Sequence, residues 1–211
     1  MDSTRAIDIR YSKLAGCGCT LSCGGAINYA QPHTGEICLD IGSGRGNDCI
    51  TMAGMVGTEG WVFGLDISEG MLVKARENVR TRDITNVGFL KSPLEQIPLP
   101  GNSVDVIISN CTLNHASDKE AVWAEMFRVL RPGGRFVVSD IYSVDIVPDE
   151  YANDPVAVAE CWAGAITRDR YMHIIEQCGF TGIAVPEESD PYEKGKINVA
   201  SWTIRGFKPS K

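Results

Sequence analysis

Two groups of residues in this 211-residue chain have types and spacing that could do chemistry: a glycine loop with an acid after it, and eight cysteines. The loop reads Cys38-Leu39-Asp40-Ile41-Gly42-Ser43-Gly44-Arg45-Gly46-Asn47-Asp48. An apolar run enters three glycines and leaves into a helical pattern. Such a backbone can turn tightly, approach a ligand closely and offer it the N–H groups of a helix start. Asp66 ends the next apolar run, 20 residues beyond Gly46, where a carboxylate can accept hydrogen bonds from ribose hydroxyls. A dinucleotide fingerprint would need glycine at position 47, which is Asn47 here. Loop and acid together point to an adenosine-type cofactor.

Three cysteines crowd at Cys17, Cys19 and Cys23; the others are Cys38, Cys49, Cys111, Cys161 and Cys178. No basic segment followed by an apolar core opens the chain, so the expected compartment is the cytosol and the expected state is thiol rather than disulfide. Cys38 and Cys49 fall inside a strand and a helix and read as buried small hydrophobes, and Cys178, before Gly179 at a helix end, reads as structural. Zinc at the N-terminal three would need a second ligand pair, which the sequence does not offer. Of His33, His115 and His173, only His115 falls near a candidate cysteine. It could orient substrate, act as a base or simply hydrogen-bond in its loop. Tyr11 and Trp162 either line a pocket or only pack.

These residues need a scaffold, and the apolar pattern supplies one. Short runs at 36–41, 61–66, 87–91, 104–109 and 135–141 alternate with helical stretches at 47–56, 68–81, 118–130 and 168–178. Nearly continuous apolar strands suit a sheet covered on both faces, and strand–helix alternation implies right-handed crossovers. The expected fold is α/β: a doubly wound, mostly parallel seven-stranded Rossmann-like sheet. Its tail, 182–186 and 197–207, forms a hairpin that adds an antiparallel strand at one edge. Residues 1–211 read as a single domain, with the Cys/Gly-rich residues 1–35 expected to cap the active site. With 44% hydrophobic and 22% charged residues and a net charge of −7, the composition is ordinary for a globular domain. A broad grip on nucleic acid or an anionic membrane is not expected, and no apolar run approaches the ~20 residues of a spanning helix. Oligomeric state is not readable.

The run from Asp40 to Asp48, with Asp66, Leu94-Glu95 and the 131–134 turn, resembles class I S-adenosylmethionine-dependent methyltransferases. That resemblance implies cofactor contacts at Asp40, Gly42, Ser43, Gly44, Gly46 and Asp48. It also implies ribose binding by Asp66, adenine packing by Met71, adenine contacts from Leu94 and Glu95, and Asn110 beneath the methyl donor. Where many members place Asp before the Leu-Glu pair, this chain has Pro93. The likeness narrows to arsenite methyltransferases through Gly16-Cys17-Gly18, Ser109-Asn110-Cys111 and Glu160-Cys161-Trp162-Ala163-Gly164. It implies arsenic(III), as substrate, bound by Cys111, Cys161 and one N-terminal thiol. Cys17 aligns by its flanking glycines, and Cys19 and Cys23 are equally placed. Thiolate is the soft ligand for a soft centre. Three thiolates would leave the arsenic lone pair to attack the methyl group with no general base, and a small thiol would serve as reductant. Alternatives are another soft metalloid, a small organic acceptor, or a thiol-rich metal(loid)-binding protein without turnover.

Overall fold

Burial on both faces puts β1 (Ile37–Ile41), β2 (Trp61–Asp66) and β4 (Val104–Asn110) at the middle of one sheet, in the computed structural model, which describes residues 2–17 and 24–210. With β3 (Val87–Lys91), β5 (Leu130–Ser143), β6 (Thr181–Glu188), β7 (Tyr192–Lys194) and β8 (Ile197–Phe207), the order is β3-β2-β1-β4-β5-β8-β6, and β7 pairs with β8. The first five strands pair in parallel, while β8 runs antiparallel to β5, β6 and β7. The path through the sheet has the seven expected strands; β7 is an eighth. The antiparallel strand is not at the edge but one place in. Val199, Ala200, Trp202 and Ile204 make β8 a buried strand, whereas β6 is exposed at both ends and takes the edge.

Helices α3 (Asn47–Val56), α4 (Glu69–Arg80), α5 (Lys119–Val129) and α8 (Arg168–Gln177) lie where helical periodicity puts them. The starts of α4 and α5 are capped by side chains, Ser68 accepting from Met71 N and Asp118 from Ala121 N. On one face of the sheet Trp123 packs edge-on against Phe136, Tyr171 and Phe180. On the other, Cys38 and Cys49 lie among Met52, Val62, Val106 and Ile108, as small hydrophobes do. The 131–134 turn is absorbed in β5, whose pairing with β4 skips from Leu130 to Arg135.

The N-terminal helix α1 (Ser3–Leu14) is longer than its apolar pattern suggests, because only Ala6 and Ile7 are buried on it. Polar docking holds it: Ser12 Oγ bonds Ser68 Oγ, and Glu69 N donates to Asp8 Oδ1. Gly70 makes the approach possible, since a Cβ there would stand 2.8 Å from Ser12 Cα. The short helices α6 (Asp149–Ala152) and α7 (Pro155–Val158) fill the connection after β5. Among the described residues no helix is long and apolar enough to cross a membrane.

The N-terminal helix α2 (Ala26–Ala30) is tied to the sheet by Arg135. Its guanidinium grips both Glu36 carboxylate oxygens at 2.7 and 2.8 Å and donates to the carbonyls of Ala30 and Gln31. Charge-assisted, two-pronged bonds of this kind are the strong ones. Arg135→Ala is expected to lower unfolding stability by about 2 kcal/mol, read from urea denaturation.

Candidate active site

Ligands of open α/β sheets bind beyond the carboxyl ends of the strands, and a cavity of about 560 Å³ lies there, over β1, β2 and β4. The loop 42–46 shapes its floor. Gly42, Gly44 and Gly46 have φ of +74°, +51° and +76°, conformations that only glycine adopts without strain. Gly44 N donates to Asp66 Oδ2 and Ser68 N to Asp66 Oδ1, each at 2.8 Å, which locks the acid at the end of β2 against the loop. Beside Gly44 there is open space, whereas a Cβ on Gly46 would meet the Phe89 ring at 2.9 Å. Gly46 therefore stands behind the loop, off the cavity wall.

The other residues expected around a cofactor all line this cavity: Asp40, Gly42, Ser43, Gly44, Asp48, Asp66, Met71, Leu94, Glu95 and Asn110. Glu95 has a second task, since its Oε1 accepts from Ser117 N, Ser117 Oγ and Asp118 N and so tethers the loop before α5. Burial pushes the carboxyl groups of Asp40, Asp48 and Asp66 up, and Asp48 raises Asp40 further by repulsion. A cationic ligand would relieve that crowding. The Ser43 hydroxyl is buried without a hydrogen-bond partner among the described residues. The crowded acids and the orphaned Ser43 hydroxyl fit a cationic, hydroxyl-bearing cofactor such as S-adenosylmethionine. From α1, Ser3, Thr4, Ile7 and Tyr11 complete the wall.

At the far end of the cavity the chain brings Cys111 and Cys161 to one wall. Cys111 follows β4, held by its N–H on Ser139 O at 2.8 Å. Cys161 is buried ahead of the turn Trp162–Gly164, and its Sγ donates to Cys111 O and to Asp140 Oδ1, both at 3.7 Å. Their φ values are +52° and +76°. Each such non-glycine residue costs about 1–3 kcal/mol, and strain of this kind gathers at functional sites. Burial first, then the Asp140 charge, pushes the Cys161 thiol up, so at neutral pH it is held as a thiol and not as a thiolate. Asp140 itself is raised to about 6 by burial.

The N-terminal thiol expectation meets a correction. Cys17 is joined in a disulfide, while Cys38, Cys49, Cys111, Cys161 and Cys178 are not. Cys17 O accepts from Arg45 Nη1, which places this residue next to the glycine loop, though it is not on the cavity wall. Cys19 and Cys23 lie outside the described residues. Among the described residues no group of three His, Cys, Asp or Glu is gathered to hold a metal ion.

His115 sits between the two ends of the site. Its Nδ1 lies 3.0 Å from Val158 O, which can only accept, so Nδ1 carries the proton and Nε2 accepts from Tyr11 OH at 2.9 Å. Trp162 packs on Tyr151 and lies off the cavity wall. Asp140, bonded to Cys161, and Lys194, on the cavity wall, are the site-lining side chains that pattern reading misses. An acid inside an otherwise apolar strand was a usable signal for Asp140; Lys194, in a polar hairpin, had none.

Residues 32–179, well over half of the chain, match a family model described as a methyltransferase domain, and the chain belongs to that family. Within it the likeness is to enzymes of arsenic. An arsenite methyltransferase of Halobacterium salinarum is 39% identical over 173 residues, 82% of this chain and 44% of that protein. The crystal structure of an arsenic(III) S-adenosylmethionine methyltransferase from Chlamydomonas reinhardtii superposes with a TM-score of 0.75 at 29% identity, covering 98% of this chain and 74% of that one. A ubiquinone/menaquinone biosynthesis C-methyltransferase of Serratia proteamaculans is 34% identical over 136 residues, 64% of this chain and 52% of that protein. The chain spans about half the length of the curated arsenite methyltransferases it matches.

Burial lowers the His115 pKa from 6.5 to about 4. A histidine depressed on folding contributes stability that is complete above its unfolded value and is lost as pH falls through the folded one. The thermal stability of wild type relative to His115→Gln should therefore be greatest above pH 7 and shrink by about 3 kcal/mol between pH 6.5 and 4. Melting both proteins across that range checks it; a constant difference would mean that His115 titrates normally.

Proposed function

We propose that this chain is an S-adenosylmethionine-dependent methyltransferase whose acceptor is trivalent arsenic held by cysteine sulfur. The observation that carries the proposal is the pair Cys111 and Cys161: two strained residues, side by side, on one wall of a cavity suited to that cofactor. The likeness to arsenite methyltransferases supports it. Arsenous acid, As(OH)₃, would exchange its three hydroxyls for three thiols, each thiol proton leaving with a hydroxyl as water. Cys111 and Cys161 supply two of the sulfurs and one of Cys17, Cys19 or Cys23 the third; for Cys17, reduction of its disulfide comes first.

The bound cofactor supplies a methyl group activated by its sulfonium. Asp66 would hold the ribose, Asp40 and Asp48 would face the ammonium end, and Met71 and Leu94 would flank the adenine. Residues 1–35 would cap the site, α1 covering the cofactor. The arsenic lone pair carries no proton, so the protein works by positioning. The transfer raises arsenic by two oxidation units. Returning it to the trivalent state oxidises two thiols to a disulfide, so a small thiol reductant is consumed. One observation favours a second reading: the likeness to a C-methyltransferase of quinone biosynthesis, which points to a small organic acceptor.

The reduced protein with cofactor, arsenite and excess thiol should yield S-adenosylhomocysteine and methylated arsenic together, and neither without arsenite. Cys111→Ser or Cys161→Ser should lower arsenic methylation by at least ~10³-fold while S-adenosylhomocysteine still binds. Turnover that survives both substitutions would favour the organic acceptor. Arsenite binding without any S-adenosylhomocysteine would leave a thiol-rich binding protein.

A further inference from the structure

A second cavity, also of about 560 Å³, lies on the other side of Cys111, between the ends of β5 and β8 and the strand β6–β7 connection. Cys111 and Lys194 are common to both cavities. Its floor is buried and polar: Ser139 Oγ bonds Thr203 Oγ1 at 2.8 Å, Thr203 Oγ1 donates to Glu187 Oε2 at 3.3 Å, and Asp140 lies alongside. Its rim, at Glu187, Ser189 and Tyr192, is exposed. The hydroxyls and carboxylates thus run from solvent down to the sulfur wall.

Both cysteines line the cofactor cavity, and Cys111 lines the second cavity as well. Displacement at a methyl group requires the nucleophile opposite the leaving sulfur, so an approach to Cys111 from the second cavity would leave a bound cofactor in place. We infer that the second cavity is the acceptor's way in, admitting arsenous acid as the neutral trihydroxide to Cys111 while the cofactor is bound, with Cys161 beside Cys111 on the first cavity's wall. This rests on the arsenic reading above. Arsenous acid is uncharged at neutral pH and offers hydroxyls that can exchange hydrogen bonds with Ser139, Thr203 and Glu187. The carboxylates of Asp140, Glu187 and Glu188 on its walls outnumber the one lysine, Lys194, and disfavour anions such as arsenate.

The test follows arsenite's protection of Cys111 and Cys161 from alkylation in the reduced full chain, by mass spectrometry, with and without saturating S-adenosylhomocysteine. Loading through the second cavity predicts protection rates that agree within about twofold in the two conditions. It also predicts that Ser201→Phe, on the wall of that cavity, slows protection about tenfold or more without changing S-adenosylhomocysteine affinity. That affinity reports whether the variant has folded, and if it has not, the wild-type comparison decides. A loading rate that collapses when S-adenosylhomocysteine is bound places the entrance in the cofactor cavity and overturns the inference. No protection even with the cofactor cavity empty removes the arsenic reading itself.

Discussion

A carboxylate inside an apolar strand costs several kcal/mol unless its lone pairs are filled, and the thiol end of this site is organised around how Asp140 fills them. It accepts from Leu113 N, from Asn114 Nδ2, from Ile141 N and from Cys161 Sγ. The first two donors belong to the turn just after Cys111; the last is the other cysteine. One buried group thereby sets the exit of β4 against the segment after α7, which are distant in sequence. The positive φ values at Cys111 and Cys161 persist because this network over-determines them. Burial, reinforced by the charge of the same carboxylate, pushes the Cys161 thiol up.

The cofactor end is built differently. Asp66 is fixed by two backbone N–H groups, and Asp40, Asp48 and Asp66 crowd one region with burial raising all three. Each also accepts from the protein, Asp40 from Cys49 Sγ and Asp48 from Asn110 Nδ2, so what distinguishes this end is the crowding of three buried carboxyl groups, which a cation would relieve. The two ends of the cavity therefore differ in character, three crowded carboxyl groups at the loop and two cysteines at the strand end.

Much of this was legible in the sequence, and the exceptions have physical causes. The span of α3 and the strand end at Asp66 follow from periodicity and glycine placement, because both faces of the sheet must be buried, and β4 runs one residue past its apolar run, to Asn110. Helix α1 is faint in the pattern because hydroxyl and carboxylate bonds to Ser68 and Glu69 hold it rather than an apolar stripe. The order of β8 and β6 was hidden because a hairpin can add to a sheet by either strand; the relative burial of the two decides. The strained backbone of the two cysteines carries no residue-type signal, since glycine or asparagine is what pattern reading looks for at positive φ. The oxidised state of Cys17 is not something composition reports.

The two ends of the cavity are joined by one polar chain. Tyr11 on α1 donates to His115 Nε2, His115 Nδ1 donates to Val158 O, and the same carbonyl accepts from Cys161 N at 2.9 Å. Keeping His115 neutral preserves the direction of both bonds, and burial does so across the physiological range. Tyr11 therefore lies six residues before Cys17 on an element that lines the cofactor cavity and is hydrogen-bonded toward the Cys161 turn.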